Sequence, residues 1–371
     1  MNKAVNIIFV SLFMAVLVIP LFFVNLVGGT VSEKENRVLA QRPAIPYFKE
    51  SPGGFIKDFD TWFSDNVGFR EQFIDLYDKI DNFGQKVQYT NGRYIFLNGQ
   101  EGHKYFAYEN GWMTSKFQGN QYLSDDQLSG MADRLSKTKN HLEEQGIPFI
   151  TMFCTDKESV YPEYYPKSIK RGPEPTQLDI ITEYVKSNTD VDVFNIKECF
   201  VAEKTNYLIY NKAVGDLEHY NDIGAFFAYR ELMRHIDKYI PGIKSFTIDD
   251  VNISYDENDI PKVSLKQELT HKKLDPGFFD NVSVAHPSEA DAFENNNMSL
   301  PKILIMRDSY MGQPLSISRY ISEHFGQTVL IHYINMEHFE DYVNEFKPDI
   351  VVFEVAEREL NNFSNLIMRV R

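Results

Sequence analysis

Between residues 124 and 353 the hydrophobic pattern switches repeatedly between a helical period and short continuous apolar runs, and this alternation limits the chain to few architectures. Ser124 followed by Gln127 fits a helix capping box, and Leu128, Met131, Leu135 and Leu142 continue that helix as far as Gly146. Ile147–Phe153 then reads as a buried strand, Leu178–Val185 as a helix, Val191–Phe194 as a strand and Ile223–Tyr239 as a helix. The alternation resumes with strand Lys302–Met306, helix Pro314–Phe325, strand Thr328–Tyr333, helix Glu337–Phe346 and strand Ile350–Phe353. Strands joined through helices pair in parallel, so the pattern predicts a three-layer α/β domain whose mostly parallel sheet is covered on both faces. Ligands of such sheets bind outside the carboxyl ends of the strands.

The rest of the chain is arranged around that core. Ile7–Val27 is almost wholly apolar, interrupted by Ser11, Pro20 and Asn25, and is long enough to cross a bilayer core of about 30 Å. The small-x-small cleavage site of a secretory signal is poorly met near Gly28-Gly29-Thr30, so residues 1–29 read as an uncleaved anchor, with Lys3 on the cytoplasmic side and everything after Ser32 outside. Residues 30–53, polar and with Pro43, Pro46 and Pro52, form a linker; 54–371 form the α/β domain. Phe55, Phe59, Trp62 and Phe63, then Phe73, Leu76, Tyr77, Ile80 and Phe83, have helical spacing on either side of a break at Val67-Gly68. Tyr94–Leu97 and Tyr105–Tyr108 read as short strands. Residues 241–300 lack long helical periodicity and read as an irregular or β-rich insertion.

Acidic residues outnumber basic ones, 53 to 38, for a formal charge of −15, which opposes binding of nucleic acid through a general field. Cys154 and Cys199 are too few for a disulfide framework and read as structural thiols, with a single bridge as the alternative. The acidic clusters Asp249-Asp250 and Asp256-Glu257-Asn258-Asp259 lack the ligand spacing of a calcium loop, so neither metal nor cofactor is assigned.

One stretch could carry chemistry. The apolar run Ile303–Met306 leads into Arg307-Asp308-Ser309-Tyr310-Met311-Gly312, which places the Ser309 hydroxyl at the carboxyl end of a strand beside the N–H groups of a helix start. A serine N-cap closing a buried strand has the same local sequence. A nucleophilic serine needs a base and the base an orienting acid. Of nine histidines, His141 and His235 lie in amphipathic helices, His324 ends one, His103, His271 and His286 sit in polar loops, His332 is in a strand and His338 opens a helix. His219 differs, lying in a glycine-punctuated loop ahead of a strong helix, with Asp216 three residues before it. That spacing lets the carboxylate fold back on the imidazole, although turn and cap residues around a surface histidine would look alike.

Asp308-Ser309-Tyr310 after its apolar strand, together with the acid-and-histidine loop running into Asn221-x-x-Gly224-Ala225-Phe226, resembles the SGNH-hydrolase-like domain of alginate O-acetyltransferase-type proteins, including the group named for an Asp-His-His-Trp motif. Glu35–Ala40, Asp65–Arg70, Lys157–Tyr164 and Pro348–Arg358 resemble further segments of that family in the same order, so the likeness spans most of residues 32–360. The resemblance implies an extracytoplasmic O-acetyltransferase that modifies a secreted or cell-surface polysaccharide through an acetyl-serine intermediate, with a membrane-bound O-acyltransferase supplying acetyl. Ser309 and His219 take the family's catalytic positions. The family's usual aspartate two residues before the histidine is Leu217 here, and the tryptophan after it is Tyr220; Asp216 restores the Asp-x-x-His spacing of SGNH hydrolases at large. Arg307, Tyr310 and Arg358 are the residues expected to reach substrate. An acetyl esterase using the same residues, or a silent scaffold or glycan-binding subunit of an export complex, are the alternatives.

Overall fold

The computed structural model describes every residue except 1–2, 33–36, 71, 74–86, 91–93, 109–111, 121, 275–289, 313–316 and 371. The chain divides into two compact units, Met1–Gly84 and Gln85–Arg371.

In the first unit a helix spans Lys3–Val18 and a 3-10 turn follows over Ile19–Phe23. This corrects the expectation of one apolar helix through residue 27. Pro20 has no N–H to donate and its ring crowds the carbonyl four residues back, so the helix gives way there. Among the described residues no helix is long and apolar enough to cross a membrane. A second helix, Pro52–Asn66, ends at the expected break. Its terminus is tied to the segment before it: Asn66 donates its side-chain amide to Ala40 O at 2.9 Å, and Ala40 N–H donates to the Asp65 carboxylate at 2.9 Å. Gly68 N–H reaches Pro20 O at 3.2 Å, an approach that a side chain at position 68 would block, since its Cβ would lie 2.7 Å from that oxygen. Most of the second helical stretch expected over 73–83 lies outside the described residues.

The second unit is built on a seven-stranded sheet: β1 (Phe149–Cys154), β2 (Asp192–Asn195), β3 (His271–Lys273), β4 (Ala290–Asn295), β5 (Lys302–Arg307), β6 (Gln327–His332) and β7 (Ile350–Ala356). Their spatial order is β3-β4-β6-β5-β7-β1-β2. The five strands β6 to β2 are parallel, with β5 central and in register with β6 (Ile305 opposite Leu330) and β7 (Ile305 opposite Val352). The region 241–300 adds β3 and β4 antiparallel at one edge and folds a separate hairpin, Val251–Tyr255 with Pro261–Leu265.

Helices α1 (Asp125–Glu144), α2 (Gln177–Asn188), α3 (Asp222–Ile236) and α4 (Phe339–Phe346) cover the two faces of this sheet. Ser124 and Gln127 form the capping box that starts α1. Side chains alternate along a strand, so the central strands feed two cores. Ile303 and Ile305 join Phe226, Tyr229 and Leu232 of α3 on one face, and Leu304 and Met306 join Leu135, Ile181 and Tyr342 of α1, α2 and α4 on the other. Full burial of each such side chain contributes about 1.5–3 kcal/mol, and the two-sided cover explains why β1, β5 and β7 read as unbroken apolar runs rather than alternating ones. Cys154 and Cys199 are both free thiols.

Several histidines placed by the sequence in polar loops or an amphipathic helix have buried side chains. His235 stacks on Phe194 with ring centroids 3.7 Å apart and bonds Asp192 at 2.7 Å, and the His271 side chain pairs with the buried Glu323. His103 stacks on Tyr164 at 4.2 Å. A polar neighbourhood in sequence says little about which loops are later covered. His286 lies outside the described residues.

Candidate active site

The carboxyl ends of β1, β5 and β7 converge. The chain leaving β5 turns at once: Asp308 accepts a hydrogen bond from Tyr310 N–H at 2.8 Å and one from Ala356 N–H at the end of β7. Capped in this way, Ser309–Met311 forms a single 3-10 turn with Ser309 exposed at its head and Tyr310 and Met311 buried. The apolar side chains carry the turn into the core, and the hydroxyl stays outside.

The loop 212–221 comes over this turn. Gly215 adopts φ +77°, a left-handed conformation that glycine takes without steric cost, and it reverses the chain just before Asp216. One Asp216 oxygen accepts the backbone N–H groups of Glu218 (2.9 Å) and His219 (3.1 Å), while the other lies 2.8 Å from His219 Nδ1. His219 Nε2 lies 2.9 Å from Ser309 Oγ. Asp216 is therefore an acceptor, His219 carries its proton on Nδ1, and Nε2 is left to accept from the serine hydroxyl. Burial pushes the Asp216 carboxyl up, but the hydrogen bond and charge of His219 and the two backbone N–H groups hold it below the usual value. Asn221 then caps α3, its side chain accepting from Ile223 N–H (3.1 Å) and Gly224 N–H (3.2 Å).

Beneath the loop lies a buried ionic layer to which the sequence does not point. Arg358 donates to Asp156 (2.9 Å), to Glu218 O (3.1 Å) and to the Glu218 carboxylate (2.9 Å), with its guanidinium 4.7 Å above the Tyr310 ring. Tyr310 Oη donates to Asp156 at 2.7 Å. Lys116 Nζ bonds Asp156 and lies 3.0 Å from Glu158. Desolvation alone would raise Asp156, and Lys116 and Arg358 reverse this and hold it low; burial lifts the less well paired Glu158 to about 7. Lys157, also buried, donates to Lys104 O (2.6 Å), Asn211 O (2.5 Å) and Lys212 O (3.1 Å), which pins the start of the His219 loop to the end of β1. Tyr220 Oη donates to Tyr310 O at 2.9 Å, joining the histidine loop to the serine turn.

Ser309, His219 and Asp216 are thus brought together. Arg307, Tyr310 and Arg358 are instead buried, at 6%, 0% and 4% exposure, so they stand behind the site rather than facing a substrate. Arg307 is turned back on the protein, within 3.4 Å of Asp291 and donating to Asp308 O at 3.3 Å. Lys116 and Asp156 escape a reading of the sequence because the signal, one lysine on a short helix and one aspartate after a strand, exists only once the fold brings them together.

A parallel sheet with a hydroxyl, an imidazole and a carboxylate in series at its carboxyl edge is an SGNH-hydrolase-like α/β fold. Solved structures show the same fold at low sequence identity. A DHHW family protein from Eubacterium siraeum matches with a TM-score of 0.51 and 12% identity over 76% of this chain and 96% of its own. Bacillus cereus PatB1 matches with a TM-score of 0.50 and 16% identity over 72% of this chain and 97% of its own. The O-acetyltransferase domain of Pseudomonas putida AlgJ is more distant, with a TM-score of 0.42 and 13% identity over 75% of this chain and 100% of its own. No protein-family model and no curated protein matches the sequence.

Proposed function

We propose that the protein is a serine-dependent O-acetyltransferase that modifies a secreted or cell-surface polysaccharide. The observation that carries this reading is the closed relay from Ser309 Oγ through His219 to Asp216, with spacings of 2.9 and 2.8 Å. In the forward half-reaction Ser309 Oγ attacks the acetyl carbonyl as His219 Nε2 takes its proton. The tetrahedral oxyanion forms beside the N–H at the head of the Ser309 turn, and His219 returns the proton to the leaving group as acetyl-serine forms. In the second half a sugar hydroxyl gives its proton to His219 and takes the acetyl group, which restores Ser309. Asp216 holds the imidazole in the required tautomer throughout and offsets the charge of the imidazolium.

The resemblance in motif order and the shared fold favour a carbohydrate acceptor and a membrane-bound O-acyltransferase as acetyl supplier. Association with a membrane is supported by the helix Lys3–Val18 and the turn after it, whose Phe9, Leu12, Phe13, Phe22 and Phe23 side chains are all exposed, and extracytoplasmic placement rests on the resemblance. No cofactor enters the scheme.

The test is turnover of p-nitrophenyl acetate by the full chain in detergent, with and without an acceptor oligosaccharide, and with the products weighed. Acetylated sugar, lost in Ser309→Ala, is the expected result. Free acetate with unmodified sugar would make the protein an esterase, and absence of any acyl-enzyme or turnover would refute the catalytic reading.

A further inference from the structure

Two carboxyl groups lie buried beneath the nucleophile turn, and they differ in what surrounds them. Asp308 has both oxygens occupied by backbone donors: Tyr310 N–H on one (2.8 Å) and Ala356 N–H on the other. A carboxyl group in that position is required as an acceptor on both sides, which is the ionised form. Glu354, on β7 beside it, accepts the Asp308 N–H on Oε2 at 3.1 Å, while its Oε1 is buried and has no hydrogen-bond partner among the described residues. Two carboxylates this close and both shielded from water cannot both be ionised at modest cost.

We infer that Glu354 keeps a proton through the neutral range and acts as a positioning residue, holding the Asp308-Ser309 turn while limiting the negative charge of the Asp308 and Glu354 pair to one. The inference rests on the reading of Ser309 as nucleophile for its catalytic consequence, but the location of the proton stands on the geometry. The groups that interact with Glu354 are consistent with it. They are Asp308 after β5, the Cys154 thiol at the end of β1, Tyr220 on the histidine loop and Tyr333 after β6; Arg358 lowers Asp308. Burial, followed by the charge of Asp308, pushes Glu354 well above its usual value, and burial also raises Asp308, whose two backbone donors and Arg358 pull the other way. A second negative charge at Glu354 would weaken the capping of the turn and oppose the oxyanion that develops at Ser309.

Glu354→Gln is the matching neutral side chain, since its carbonyl can accept from Asp308 N–H and it has nearly the same shape without a charge. Asp308→Asn, by contrast, turns an amide N–H toward one of two backbone donors. Serine labelling by a fluorophosphonate and acetyl-ester turnover are expected to survive Glu354→Gln within several-fold and to be lost in Asp308→Asn. A fall in kcat at alkaline pH, with KM unchanged, is expected in the wild type and absent in Glu354→Gln. The proton also shows in stability. A group that binds its proton only in the folded state costs about a tenfold factor in the folding constant per pH unit above its unfolded value, so wild type should lose stability relative to Glu354→Gln by that factor for each pH unit between about 5 and about 8, about a thousandfold in all.

A pH-independent difference between the two proteins, or tolerance of Asp308→Asn with loss in Glu354→Gln, would overturn the inference. If Glu354→Gln does not fold, wild type made with isotopically labelled glutamate decides the matter. At about pH 8, above the value of about 7 expected for Glu158, an isotope-shifted infrared band of an un-ionised glutamic acid is expected, and its absence would sink the inference. Failure of the fluorophosphonate to label wild type would count against Ser309 as nucleophile, and the stability comparison would still locate the proton.

Discussion

Replacing Asp216 by Asn tests the member of the relay that departs most from the motif pattern the sequence otherwise resembles. Asp216 performs two jobs that the structure separates: one oxygen holds the loop through the N–H groups of Glu218 and His219, and the other faces His219 Nδ1 at 2.8 Å. In Asp216→Asn the amide oxygen can keep the loop contacts, but an N–H₂ then faces Nδ1. The imidazole is driven to the tautomer protonated on Nε2, which cannot accept the Ser309 proton. The carboxylate charge that offsets the imidazolium is lost as well. Two unit charges about 4 Å apart interact by about 4 kcal/mol at a partly buried site, and the Asp216 side chain is 48% exposed, so about half of that, or about 2 kcal/mol, is the reasonable share. Together with the tautomer cost, kcat should fall by about 10² to 10³ with KM nearly unchanged. Burst and steady-state kinetics with p-nitrophenyl acetate measure this directly. Turnover within about threefold of wild type would refute the role of Asp216 and leave the base oriented by something else. Glu218, the acid next to His219 in the loop, is held on Arg358 at 2.9 Å.

Arg358→Met should cost about 3 kcal/mol, because it leaves Asp156 with Lys116 as its one charged partner beside the Tyr310 hydroxyl and removes the guanidinium from the Glu218 carbonyl and carboxylate; thermal unfolding should shift down by roughly 6–10 °C and kcat should drop about tenfold, whereas an unchanged transition would mean that this ionic layer does not support the loop. Acid should also weaken the fold through His324, whose Nε2 accepts from Tyr229 Oη at 2.6 Å while that oxygen accepts from Phe246 N–H at 2.8 Å. Burial lowers His324 from 6.5 to about 4, so the folded state favours the neutral ring: its contribution is complete above about pH 6.5 and is lost as pH falls toward 4. His324→Leu should flatten stability measured over that window, and an unaltered pH profile would count against it.

The expected and observed elements differ mostly at their ends. The strand expected over Lys302–Met306 runs to Arg307, that over Ile350–Phe353 to Ala356, and α3 ends at Ile236 rather than Tyr239. Existence and type are legible because a buried parallel strand must be apolar on both faces and an amphipathic helix must repeat near 3.6 residues. The apolar run at the amino terminus reads as one helix because hydropathy counts side chains, whereas Pro20 acts through its missing backbone donor. Arg358 after β7 is legible as a charge near the site, but its direction is not. From sequence it could face a sugar; in the fold it lies under the loop with its donors on Asp156 and Glu218.

By itself the sequence determined what is local: the alternation that makes a parallel sheet with two covered faces, the serine at the end of its central strand, and an acid three residues before a histidine in a loop that ends at the Asn221 cap. The tertiary structure decided what depends on residues far apart in the chain. It brought His219 within 2.9 Å of Ser309 across 90 positions, set Lys116, Asp156 and Arg358 beneath them, and placed Glu354 against Asp308 in the buried layer under the turn. Spacing along a chain constrains only neighbours within a turn or two. Which charges share a buried space, and which of them must keep a proton there, depends on how the strands are ordered.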